Sequence, residues 1–126
     1  MKNKLNILII DDCKQDRVLL IDHLRNLGKE NYTITQVNSP HKGLAELSSK
    51  DYDLVFLDFL MDEGDGLSFL NLLSIEQKKK LPIIFLTGYG NSMIKEDSIE
   101  IGAKAYIDKN EINQSLLEET INKVLA

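Results

Sequence analysis

The stretch DLVFLDFLM, residues 53–61, holds one aspartate, Asp58, inside an otherwise apolar run. Leu54, Val55, Phe56 and Leu57 precede it, and Phe59, Leu60 and Met61 follow. An unbroken apolar run of this length fits a strand covered on both faces, as in a parallel sheet. An ionised carboxylate is almost never fully buried without a partner. Asp58 therefore belongs at the rim of the core, where the strand runs out.

Outward from this stretch, similar runs recur at Leu5–Ile10, Tyr32–Val37, Ile83–Leu86 and Ala105–Ile107. Helical spacing lies between them. Leu20, Leu24 and Leu27 share one face, and Gly28 stops that helix. Ser39-Pro40 supplies an N-cap and first turn for the second. Leu67, Leu70 and Leu73 mark a third, residues 91–101 a fourth closed by Gly102, and Leu117, Ile121 and Val124 the last. Five β-then-α units with short connections predict an open, doubly wound α/β sheet. Residues 1–126 read as a single domain, with no linker, repeat or output module visible in the sequence.

Composition narrows the function classes. Apolar residues make up 43% and charged residues 28%, as in ordinary globular chains. A net charge of −5 argues against direct binding to nucleic acid or to an anionic membrane. The basic run Lys78-Lys79-Lys80 is expected to be a solvated loop before Pro82. A single cysteine, Cys13, excludes an internal disulfide and fits a reducing compartment. No apolar stretch reaches membrane-spanning length, and the N-terminus lacks a signal-peptide cleavage site, so a cytoplasmic location is expected. His23 and His41 have no metal-ligand spacing and are expected at the surface.

In a doubly wound sheet, ligands bind beyond the carboxyl ends of the strands. The first run ends in Asp11-Asp12, the third in Asp58, the fourth in Thr87 and the fifth near Lys109. Three carboxylates meeting at one edge repel each other and raise at least one pKa. A hard cation such as Mg²⁺ reverses that balance, and Asp11, Asp12, Asp58 and one backbone carbonyl after Asp58 are suitable ligands. An ionised aspartate is also a nucleophile toward phosphorus. Phosphoryl transfer is governed by positioning and charge neutralisation. The Lys109 ammonium and the Thr87 hydroxyl are suited to phosphoryl oxygens.

The segments ILIIDD, YDLVFLD followed by DGLSFL, LPIIFLTG and GAKAYIDK, in this order, resemble the receiver domain of two-component response regulators, and in particular stand-alone chemotaxis-type regulators. The resemblance covers essentially the whole chain. It implies a flavodoxin-like five-stranded parallel sheet of order 2-1-3-4-5 flanked by five helices. It implies that Asp58 accepts a phosphoryl group, that Asp11 and Asp12 hold Mg²⁺, and that Leu60 lends the metal its backbone carbonyl. Thr87 becomes the switch hydroxyl, Lys109 the phosphate-contacting lysine, and Tyr106 the aromatic that changes rotamer with Thr87. The implied partners are a sensor histidine kinase or phosphotransfer protein, and a downstream protein that reads the face made by the fourth helix, fifth strand and fifth helix. Leu60 and Tyr89 flank the phosphate in this family, and their bulk predicts slow hydrolysis. The chain departs from the family pattern at Asp62, Gly64, Gly88 and Asn110, which alter loop shape but remove no reactive group. Asn110 stands where proline is usual, so a trans Lys109–Asn110 bond is expected, with Asn110 or Glu111 helping to start the last helix.

Two rivals stand beside the switch. An aspartate-based phosphatase would carry a second acid two residues after its nucleophile, where this chain has Leu60. A receiver-like interaction module independent of phosphate would lack Asp58 or Lys109, and both are present.

Overall fold

The computed structural model describes residues 4–27, 31–61, 64–88, 96, 99–100 and 102–126. The elements run β1 (Leu5–Ile10), α1 (Lys14–Asn26), β2 (Tyr32–Val37), α2 (Pro40–Ser49), β3 (Leu54–Asp58), β4 (Leu60–Met61), β5 (Gly64–Asp65), α3 (Gly66–Leu72), α4 (Ile75–Lys80), β6 (Ile83–Thr87), β7 (Ala105–Asp108), a 3₁₀ turn (Lys109–Glu111) and α5 (Gln114–Leu125). Five strands form one all-parallel sheet of order β2-β1-β3-β6-β7. This is the 2-1-3-4-5 order of the flavodoxin-like fold. The minor strands β4 and β5 pair antiparallel just beyond β3.

The apolar runs are continuous because both faces of the central strands are covered. Every residue of β3 and β6 is buried. Leu8, Ile10, Val55, Leu57, Ile83 and Phe85 face one core layer, which Phe69 and Leu70 of α3 help to close. Ile7, Ile9, Leu54, Phe56, Ile84 and Leu86 face the other, under Leu20 and Leu24 of α1 and Leu117 and Ile121 of α5. On the first face α2 lies very close to the sheet: a Cβ built on Gly43 would sit 2.6 Å from Cδ1 of Ile10. A side chain there would have to displace the Ile10 side chain, on the strand that leads into Asp11.

Local signals in the sequence explain most boundaries. Ser39 Oγ accepts the Lys42 N–H at 3.2 Å and Pro40 opens α2, as expected. Gly102 has φ of 136°, a conformation that disfavours a side chain, and its N–H reaches the Ile99 carbonyl at 3.1 Å. The rest of the fourth helical segment, and Gly28, lie outside the described residues. The lysine run departs from expectation, because Lys78, Lys79 and Lys80 form the last turn of α4. The cause is a capping box at Ser74 and Gln77: Ser74 Oγ accepts the Gln77 N–H at 3.0 Å, and Gln77 Oε1 accepts the Ser74 N–H at 2.9 Å. Three cations then complement the carbonyl end of the helix.

No cis peptide bond occurs among the described residues, so Lys109–Asn110 is trans. The last helix does not begin at Asn110 or Glu111. Those residues stay in the 3₁₀ turn, and Asn113 caps α5 by accepting the Leu116 N–H at 2.9 Å. Asp108 Oδ1 takes the Asn110 N–H at 2.8 Å, a bond that proline could not make.

Candidate functional site

The strand order reverses between β1 and β3, the adjacent strands whose ends carry Asp11 and Asp58. That is the crevice where a doubly wound sheet takes its ligand. The register keeps the neighbouring ends flush: Asp58 lies beside Leu86, and Thr87 beside Asp108. Asp58 is at the rim, as expected, although little of its surface is exposed. Asp58 is 5% exposed, Asp11 1% and Thr87 1%. The loop after Asp58 is fixed by the Phe59 N–H, which donates to the Leu86 carbonyl at 2.7 Å.

Asp11, Asp12 and Asp58 form one group, with a carboxylate oxygen of each within 4.8 Å of the others. The Lys109 ammonium sits among the acids. Its Nζ lies 2.7 Å from Asp11 Oδ2, 2.8 Å from Asp16 Oδ2 and 3.0 Å from Asp58 Oδ1. The other oxygen of Asp11, Oδ1, accepts the Cys13 N–H at 2.9 Å. An open pocket of about 400 Å³ is lined by Asp12, Cys13, Asp16, Asp58, Thr87, Gly88 and Lys109.

The charges are unequally matched. Burial raises the Asp58 carboxyl, the Asp11 charge adds to that, and Lys109 opposes both, leaving its pKa at about 7 instead of the usual 3.8. Burial alone would depress Lys109, but hydrogen bonds to Asp11 and Asp16 and the charges of Asp11 and Asp58 raise it, so the ammonium stays protonated. One cation therefore serves an acid cluster that it does not fully neutralise. The donor set is all hard carboxylate oxygen, which fits a small divalent cation such as Mg²⁺.

Tyr106, on β7 beside Phe85, packs its ring on the β3–β6 core layer. Its hydroxyl is buried and has no hydrogen-bond partner among the described residues. Burial, and then the charges of Asp108 and Glu111, raise its pKa. Leu60 lies in β4, two residues beyond Asp58, and pairs with Asp65. Tyr89 and the Leu60 side chain, invoked for slow hydrolysis, lie outside the described residues. Cys13 and His23 are half-buried, whereas His41 is exposed.

The sequence reading missed Asp16 and Arg17. Both sit in the first turns of α1. Arg17 Nη1 donates to the Asp11 carbonyl at 2.7 Å, and its Nε donates to Gln36 Oε1 at 2.8 Å, which ties β1 to β2 at the site. The available signal was position: Asp16 lies in the first turn of the helix that starts just after Asp11-Asp12, at the same edge of the sheet. A third unread contact joins the loops, since Asn110 Nδ2 donates to the Gly88 carbonyl at 3.2 Å.

A family model for the response regulator receiver domain matches residues 7–122, and the chain belongs to that family. The transcriptional regulatory protein ResD of Bacillus subtilis is 34% identical over 107 residues, which are 85% of this chain and 42% of ResD. This chain thus spans less than half of that relative. A CheY-type chemotaxis protein of Rhizobium etli is 31% identical over 107 residues, 84% of this chain and 81% of that protein. The crystal structure of a two-component response regulator from Clostridium difficile shares the fold, with a TM-score of 0.79 at 24% identity over 97% of this chain and 96% of that one. No helix among the described residues is long and apolar enough to cross a membrane.

Proposed function

We propose that this chain is a phosphorylation-controlled switch whose phosphoryl acceptor is Asp58. The observation that carries this reading is the convergence of a buried carboxylate, Asp58, with an ammonium at 3.0 Å and two further acids on one open pocket. An Asp58 oxygen attacks the phosphorus of a phosphohistidine on a sensor kinase or phosphotransfer protein. The P–N bond breaks, the electron pair leaves with the imidazole, and an aspartyl phosphate remains. Lys109 pairs with one phosphoryl oxygen and the Thr87 hydroxyl donates to another. Mg²⁺, held by Asp11, Asp12, Asp58 and the Leu60 carbonyl, would neutralise the acids and a phosphoryl oxygen.

The readout follows from Thr87 and Tyr106. A buried Tyr106 hydroxyl without a partner among the described residues is an unfavourable polar group, which a rotamer change toward solvent relieves. Movement of Thr87 toward the phosphate would open room for that change, and a downstream protein reads the face of the fourth helical segment, β7 and α5. On this reading residues 1–126 act as one receiver unit in the cytoplasm, without direct contact to nucleic acid, and the product is a surface instead of a metabolite.

Incubation with acetyl phosphate and Mg²⁺ should add one phosphoryl group, read by intact mass, and Asp58→Asn should abolish it. A parent that gains no phosphoryl group, or an unchanged yield in Asp58→Asn, refutes the assignment.

Mg²⁺ should also raise the melting temperature of the unphosphorylated protein, since it binds the folded acid cluster and not the unfolded chain. Asp12→Ala should lose most of that rise. The same shift in both proteins would place the metal elsewhere.

A further inference from the structure

Among the described residues, Asp16 is the one partner of Lys109 to which the proposed chemistry gives no task. The ammonium has three N–H donors. Three carboxylates surround it, Asp11 Oδ2 at 2.7 Å, Asp16 Oδ2 at 2.8 Å and Asp58 Oδ1 at 3.0 Å. Two of these partners change during the proposed cycle. Asp11 is claimed by the cation, and Asp58 gives up its carboxylate when it becomes an aspartyl phosphate. Asp16 has neither role, and it stands further out: its side chain is 41% exposed, against 2% for Asp11 and 7% for Asp58.

We propose that Asp16 is a positioning residue, a fixed tether that keeps the Lys109 ammonium over Asp58 while its other partners are exchanged. This rests on the reading of Asp58 as phosphoryl acceptor. Lysine is a point charge on a flexible four-carbon stem, so aiming it costs rotamer freedom. The Lys109 stem issues from the 3₁₀ turn after β7, and Asp16 from the first turn of α1. The pair therefore links the last strand of the sheet to the first helix across the pocket mouth. An acid in the first turn of a helix is also favourable without any lysine nearby. That plainer role predicts a stability effect independent of Lys109 and no effect on phosphoryl transfer.

The test uses Asp16→Ala, Asp16→Asn and Asp16→Glu in the whole chain. At a fixed concentration of acetyl phosphate with saturating Mg²⁺, Asp16→Ala should slow phosphorylation roughly two- to fivefold. Asp16→Glu should restore most of the rate, and Asp16→Asn, which accepts a hydrogen bond without charge, should fall between. In EDTA, Asp16→Ala should lower the melting temperature more in the parent than in a Lys109→Met background. An unchanged or faster rate in Asp16→Ala, the result if its charge merely repels an anionic donor, overturns the tether. So does an equal thermal loss in both backgrounds. The rate comparison needs no Lys109 variant, so poor folding of Lys109→Met leaves the proposal open to refutation. A parent that acquires no phosphoryl group removes the acceptor reading, and the metal-free thermal cycle then still judges the Asp16–Lys109 link.

Discussion

Lys109→Met is expected to lower the stability of the metal-free protein by about 3–5 kcal/mol at pH 8, the usual cost of removing one partner from a buried ion pair. Methionine keeps the apolar stem and approximate volume, so the loss reports charge more than packing. Asp11 and Asp58 are 1% and 5% exposed, and without the ammonium their repulsion acts in a poorly solvated crevice. Two further results should accompany the loss. It should shrink as the pH falls, because a protonated Asp58 no longer repels Asp11. Added Mg²⁺ should raise the melting temperature of the variant more than that of the parent, because a bound dication replaces the missing charge. Denaturant titration in EDTA measures the first quantity, and a stability equal to the parent's would mean that Lys109 does not hold the cluster together.

The second large effect is a stability that declines toward neutral pH. Asp58 titrates at about 7 in the folded protein and near 3.8 when unperturbed. Between those values the folded state holds a proton that the unfolded chain has released. The contribution of Asp58 to stability therefore falls as pH rises from about 4 to 7 and levels off above. The full displacement corresponds to roughly 4 kcal/mol. Other carboxylates lose favourable contacts in acid, so the informative window is pH 5–7.5 on the scale set by these shifts. Asp58→Asn removes the titrating group and should flatten that slope in EDTA. A parent whose stability instead climbs steadily through this window would show that Asp58 is ionised at little cost.

Most of the architecture was legible because its signals are local or periodic. The runs at Leu54–Leu57 and Ile83–Leu86 are apolar throughout because both faces of those strands are buried, and the acids fall where the runs stop. What escaped the reading depended on partners distant in the chain, or on competing local signals. Asp16 looks like an ordinary acid in a first helical turn until the fold brings Lys109 beside it. The lysine run has the charge of a solvated loop, but the Ser74–Gln77 cap makes it the end of a helix. Asn110 and Glu111 both suit a helix start, yet the chain inserts a 3₁₀ turn there and leaves the cap to Asn113, while the Asn110 side chain ties the turn to Gly88.

The separation of the site residues along the chain also bears on the order of folding. Asp11 and Lys109 meet across 98 residues of sequence, and β3, which carries Asp58, pairs with β1 on one side and β6 on the other. Contacts of such range carry a loop-closure cost before they return anything, so they tend to form late. Repulsion within the acid cluster should then arise mostly after the rate-limiting barrier has been crossed. A cation that relieves it would act as a brake on opening, with little influence on how fast the chain finds its fold. Stopped-flow chevrons in EDTA and in Mg²⁺ should differ in their unfolding limbs and nearly coincide in their refolding limbs. A matching acceleration of refolding would mean that the cluster is already assembled at the barrier.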